Sequence, residues 1–119
     1  MSFDFNNDTP IYLQLIELIK MQIIRKVYRP KEKLPSVREL SLKYSVNPNT
    51  IQKALAELES IGLIVTERTN GKFVTGDEDL IREITNQTIK EMVHDFYNSM
   101  SNLGLSKSEI LKILEGEQI

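Results

Sequence analysis

The sequence predicts a mainly α-helical fold that carries one small β-hairpin and ends in a two-helix hairpin. Three observations carry this expectation. Two helix-start signals stand close together, Ser36 with Glu39 and Asn47 with Pro48. An Asn-Gly pair, Asn70-Gly71, sits between two short β-branched runs. An apolar repeat at helical spacing runs from Leu80 to Met100 and resumes after Gly104.

Taken in order, residues 1–8 form a polar arm with Phe3 and Phe5 in it, which either docks on a partner subunit or frays. Thr9-Pro10 opens a first helix expected over residues 10–27, with Ile11, Leu15, Leu18, Ile19 and Ile23 on one apolar face. Tyr12 and Gln14 are assigned packing and capping. Ser36 and Glu39 then form a capping box, in which each side chain satisfies the other residue's orphan N–H. After a corner at Tyr44-Ser45-Val46, Asn47 caps the next helix and Pro48 takes its first turn, where a missing N–H costs nothing. Ile51, Ala54, Leu55 and Leu58 form the buried stripe of that helix, while Asn49, Thr50, Gln52 and Lys53 fall off it near the positive N-terminal end. About 14 residues give a helix of about 20 Å, whose width suits the ~12 Å major groove. Two short helices joined by a tight corner, the second small, polar and basic at its start, are a helix-turn-helix pattern.

Gly62 suits the left-handed residue that ends this helix. Residues 63–68 read as a strand, Thr69-Asn70-Gly71 as a turn and residues 72–75 as the returning strand, a wing whose tip is flanked by Arg68 and Lys72. Beyond an acidic boundary, Gly76-Asp77-Glu78-Asp79, a long helix carries Leu80, Ile81, Ile84, Thr88, Ile89, Met92, Val93, Phe96, Tyr97 and Met100. Gly104 stops it, and Ser106 with Glu109 begins a last helix bearing Ile110, Leu111, Ile113 and Leu114. Such a hairpin cannot bury both stripes alone. The expectation is a homodimer built through residues 77–119, with Ile81, Ile84, Ile89, Met92, Val93, Phe96, Met100, Ile110 and Leu114 in the shared core. Folding back onto the chain's own winged domain, or lining a ligand pocket with the Met and aromatic stripe, are the competing uses of this face.

Charge is unevenly placed. The whole chain is net −2, yet residues 1–76 hold 11 Lys/Arg against 8 Asp/Glu and residues 77–119 hold 4 against 9. Within residues 20–53 the ratio is 9 to 2, which points the basic half at nucleic acid. The absence of cysteine removes disulfides and thiolate metal sites and suits a reducing cytoplasm. No apolar run approaches the ~18 residues of a membrane span, and no signal-peptide pattern opens the sequence. Catalysis finds no support. His94 is the one histidine, with no second ligand beside it, and no Ser-His-Asp set, phosphate loop or CxxC is present. No metal or other cofactor is expected, and the sequence names no small effector.

The segments TPIYLQLIELIKMQII, LPSVREL, VNPNTIQKALAELESIGLI and TERTNGKFV together resemble the winged helix-turn-helix of GntR-type bacterial transcription regulators, over about residues 9–76 without gaps. The remaining tail resembles the YtrA-like subgroup, with its small helical dimerisation unit; larger effector domains of other subgroups need more chain than residues 77–119 offer. The resemblance implies a repressor that binds double-stranded DNA at an inverted-repeat operator as a homodimer, in a subgroup that often controls neighbouring transporter operons. It also implies site residues. Arg38 matches the arginine of the first motif helix that reaches the operator, and its fork suits guanine. Asn47, Pro48, Asn49 and Thr50 match the segment that enters the groove, and Gln52 a further groove-facing position. Ser36, Lys53 and Lys72 are phosphate candidates, and Gly71 lets the wing backbone approach closely. Lys26, Lys31 and Thr69 depart from family glycines, so altered local turns are expected there. The rival reading is a winged helix used for protein–protein contact without DNA, since fold does not fix function.

Overall fold

A computed structural model describes residues 5–116. Its elements are α1 Ile11–Ile24, α2 Val37–Tyr44, α3 Pro48–Ser60, β1 Ile64–Glu67, β2 Gly71–Val74, α4 Glu78–Asn102 and α5 Lys107–Leu114. Two compact units, Met1–Arg82 and Glu83–Ile119, divide the chain inside α4.

The first unit is organised around α3. Both α1 and α2 pack on it, and β1 continues from it. Leu15, Ile19 and Ile23 of α1, Leu40 of α2, and Ile51, Ala54, Leu55 and Leu58 of α3 are buried together with Leu34, Leu63, Ile64 and Val74. Burying each large aliphatic chain contributes about 1.5–3 kcal/mol, so this layer holds the unit closed. Ile11, expected on the core face of α1, is exposed instead.

Helix α1 stops three residues before the expected end. Its terminus is a Schellman motif: Val27 N–H donates to the Gln22 carbonyl at 2.9 Å and Lys26 N–H to Ile23 at 3.1 Å. The left-handed position, φ +62, is held by Lys26. Lys31 is likewise left-handed at φ +68. Both lysines therefore adopt the backbone that glycine favours, where a changed turn was expected. At the other end of α1, Pro10 brings no side-chain cap. Gln14 substitutes by donating to the carbonyls of Asn6 and Thr9 at 2.9 and 2.8 Å and accepting from Asn6 N–H. The arm is thereby tied down from Asn6 onward. Phe3 lies outside the described residues.

The wing is antiparallel, with Ile64 opposite Val74 and Glu67 opposite Gly71. Its loop is residues 68–70, one position earlier than expected. Asn70 N–H donates to the Glu67 carbonyl at 3.2 Å, and Gly71 follows at φ +100. That combination is a three-residue loop closed by a left-handed glycine. A two-stranded hairpin alone is marginal. Residues 31–34 reinforce it: Lys31 N–H donates to Val74 O, Val74 N–H to Glu32 O and Leu34 N–H to Lys72 O, at 2.8–3.0 Å. Lys33 thereby lies opposite Phe73.

Helix α4 begins at a cap from Asp77, whose carboxylate accepts from Leu80 N–H at 3.0 Å. It ends as α1 does, with Leu105 and Gly104 N–H donating to Met100 and Ser101, and Gly104 at φ +90. In the second unit, Ser106 and Glu109 form the expected capping box at 3.0 and 3.2 Å. Thr88 and Ile110 are buried. Ile89, Met92, Val93, Phe96, Tyr97, Leu111 and Leu114 are exposed, and Ile84 and Met100 are intermediate. Ile81, placed in the dimer core by the sequence reading, is 6% exposed and belongs to the first unit. Ile81 and Ile110 are thus already covered within the single chain.

Candidate nucleic-acid interface

The corner between α2 and α3 sets which side chains look outward. Ser45 turns the chain at φ +55, Ser41 donates its hydroxyl to the Val46 carbonyl at 2.6 Å, and the buried Val46 anchors the turn. Tyr44, expected in the corner, is the last residue of α2. It is buried, and burial, followed by the neighbouring Tyr28 phenol, pushes its hydroxyl up to about 12. With the apolar stripe of α3 sealed inward, Asn47, Pro48, Asn49, Gln52 and Lys53 are exposed and Thr50 is half-buried.

Several of these groups have partners in the free protein. The side-chain Oδ1 of Asn47 accepts from Asn49 N–H at 2.8 Å, which leaves its amide hydrogens for an acceptor. Ser36 Oγ accepts from Glu39 N–H at 3.0 Å, as the capping box requires. The backbone N–H of Ser36, then its hydroxyl, holds the Glu39 carboxyl below its ordinary range. Lys53 places its ammonium 3.7 Å from the centre of the Tyr12 ring, a cation–π contact that fixes it over the start of α1. Ile11, Tyr12, Asn49, Thr50 and Lys53 line a hollow of about 360 Å³ at this end. Tyr12 thus touches α3, a position assigned from the sequence to packing and capping.

On the other side, the start of α2 and the wing enclose a groove of about 440 Å³ lined by Lys33, Ser36, Arg68, Gly71 and Lys72 among others. Arg68 and Arg38 are exposed, and neither enters an ion pair among the described residues. Lys72 is differently placed. Its ammonium lies 3.2 Å from Glu59 Oε1 and 2.8 Å from Thr66 Oγ1. Hydrogen bonds from Thr66 and Lys72 lower the Glu59 carboxyl. Gly71 approaches Lys33 so closely that a Cβ there would stand 3.3 Å from Lys33 Cε. Lys33 was not singled out from the sequence; only its pairing opposite Phe73 carries it to the wing.

The family described as "Bacterial regulatory proteins, gntR family" matches residues 11–74. The chain belongs to the GntR family. It is 38% identical over 112 residues to the HTH-type transcriptional regulator YhcF of Bacillus subtilis, covering 94% of this chain and 93% of that protein. It is 41% identical over 75 residues to the Bacillus subtilis HTH-type transcriptional repressor YtrA, covering 63% of this chain and 58% of that one. A GntR family transcriptional regulator from Listeria monocytogenes superposes with TM-score 0.89 at 38% identity, across 96% of this chain and 100% of that structure. The DNA-binding domain of AraR, solved in complex with operator ORX1, matches at TM-score 0.57 and 29% identity, over 63% of this chain and 95% of that one. The likeness to YhcF and to the Listeria regulator therefore includes the C-terminal helices. This GntR protein is a DNA-binding transcriptional regulator and not an enzyme. No helix among its described residues is long and apolar enough to cross a membrane.

Proposed function

We propose that this regulator is a cytoplasmic repressor that binds an inverted-repeat operator as a homodimer. Residues 9–76 would act as the reading head and residues 77–119 as the dimerisation tail. The observation that carries this reading is a division of exposure: polar and cationic groups face outward at the start of α3, and an apolar row faces outward along α4. The Asn47–Lys53 end supplies donors and acceptors suited to base edges, and Arg38 supplies a fork suited to guanine. The repressor named YtrA and the operator-bound AraR domain support the direction of the assignment. A two-fold axis would present two recognition helices to successive faces of one duplex, with half-site centres about 34–36 Å, or roughly 10 bp, apart.

The test is selection of bound duplexes from a random pool by the full chain, followed by sedimentation of the complex. An inverted repeat bound by two chains is the expected result. Inserting about 5 bp between the half-sites turns them to opposite faces and should abolish tight binding. A single direct half-site bound by one chain would overturn the dimeric reading.

A further inference from the structure

The groove between α2 and the wing contains two lysines in opposite electrostatic states. Lys72 is spoken for: Glu59, on the last turn of α3, neutralises it, and Thr66 takes a further hydrogen bond. Lys33 enters no ion pair among the described residues and is exposed. Its backbone is pinned opposite Phe73, while its side chain runs past Gly71, with the ammonium 4.0 Å from where a Cβ of that residue would stand. Gly71 leaves this corridor open. Lys33 also acts on the Glu39 carboxyl, which sits in the first turn of α2. The ammonium is therefore held between the wing and the start of α2, on the groove that Ser36 and Arg68 also line.

Building on the DNA-binding reading above, we propose that Lys33 is the groove's phosphate-binding lysine, and that Lys72 is a positioning residue that ties the wing to the end of α3. A free ammonium on a fixed backbone releases a counterion when it meets a DNA phosphate. An ammonium already paired with a carboxylate releases none unless that pair opens. Lys72 instead links Glu59 on α3 to Thr66 on β1, so the wing keeps its angle to the recognition helix.

The experiment measures the salt dependence of affinity for duplexes recovered from a random pool, using the full chain and its Lys33→Gln, Lys33→Arg, Lys72→Gln and Glu59→Ala variants. Lys33→Gln should lower the slope of log affinity against log salt by about one per protomer, and Lys33→Arg should keep it. Lys72→Gln should weaken binding with the slope unchanged. Glu59→Ala decides the role of Lys72 by its sign. Removing an acid near DNA ordinarily strengthens binding, so weakened binding marks a lost strut, whereas stronger binding with a steeper slope marks a released phosphate contact and overturns that half. A wild-type slope in Lys33→Gln overturns the assignment of Lys33. Failure of the wild-type chain to recover any duplex would instead sink the DNA-binding reading itself.

Discussion

Helices α3 and α4 carry the same apolar spacing and end in opposite environments. On α3, Ile51, Ala54, Leu55 and Leu58 are 0–1% exposed. On α4, Ile89, Met92, Val93 and Phe96 are 43–60% exposed. Periodicity marks the face of a helix that wants cover, and it is silent on what supplies it. For α3 the cover is α1, α2 and β1 of the same chain. For the outer row of α4 the proposed cover is a second copy, because an apolar row of this length is unusual on a free surface.

The largest expected effect separates these two situations directly. Leu58→Ala in α3 should cost about 2–5 kcal/mol, the usual range for a cavity in a closed core, read by chemical denaturation. Phe96→Glu in α4 should leave helix content intact by circular dichroism and sediment as a monomer where the parent chain sediments as a dimer. If Phe96→Glu unfolds the chain as severely as Leu58→Ala, the α4 row is internal core and the contrast is lost.

What the sequence made legible follows the range of the interactions. The starts of α2, α3 and α5 could be placed because each cap is a bond between a side chain and a backbone N–H two or three residues away. Gly62, at φ +89, could be placed as the end of α3 for the same local reason. The end of α1 lies three residues before the expected one, since lysine favours helices and only the family glycine at position 26, not Lys26 itself, marks a turn there. The wing loop starts one residue before the expected Thr69 because Gly71 is the left-handed residue that closes a three-residue loop and pairs with Glu67, rather than a residue of the turn itself. Long-range contacts also hid part of the candidate interface. Lys72 bonds Glu59 across 13 positions, and nothing local to either residue announces the pair. Lys33 and Tyr12 likewise reach the interface only through tertiary packing.

A smaller effect compares how the two units end a helix. Both α1 and α4 close with the same hydrogen-bond pattern, but the left-handed residue is Lys26 in one and Gly104 in the other. A left-handed L-residue costs about 1–2 kcal/mol, and the closed first unit holds it in place regardless. Lys26→Gly should therefore raise stability by up to about 1 kcal/mol, net of the entropy that glycine adds to the unfolded chain. Gly104→Lys should lower it by about 1 kcal/mol, although no atom crowds the site within 4 Å. Thermal unfolding of both variants at fixed protein concentration checks the signs. Lys31→Gly should gain less than Lys26→Gly, because the Lys31 chain packs across Gly76, where a Cβ would meet its Cε at 2.7 Å.

The smallest effect lies in the two capping boxes, one in each unit and alike in geometry. Glu39 and Glu109 each accept from a serine N–H at 3.0 Å, and that bond is the first cause holding each carboxyl below its ordinary value of 4.5. A carboxyl lowered in the folded state stabilises above its unfolded value. That contribution fades as pH falls through the folded value, so both helix starts should loosen only on the acid side of 4.5. The boxes differ in one respect: Lys33 lowers Glu39 further by its charge, and no cation acts on Glu109 in that way. Carboxyl titration by carbon-detected NMR should therefore show Glu39 moving up in Lys33→Gln while Glu109 stays put. If the two move together, the shift comes from the chain's net charge, and Lys33 is not held near the start of α2. An unmoved Glu39 would place the ammonium away from that helix and weaken the case for its seat in the groove.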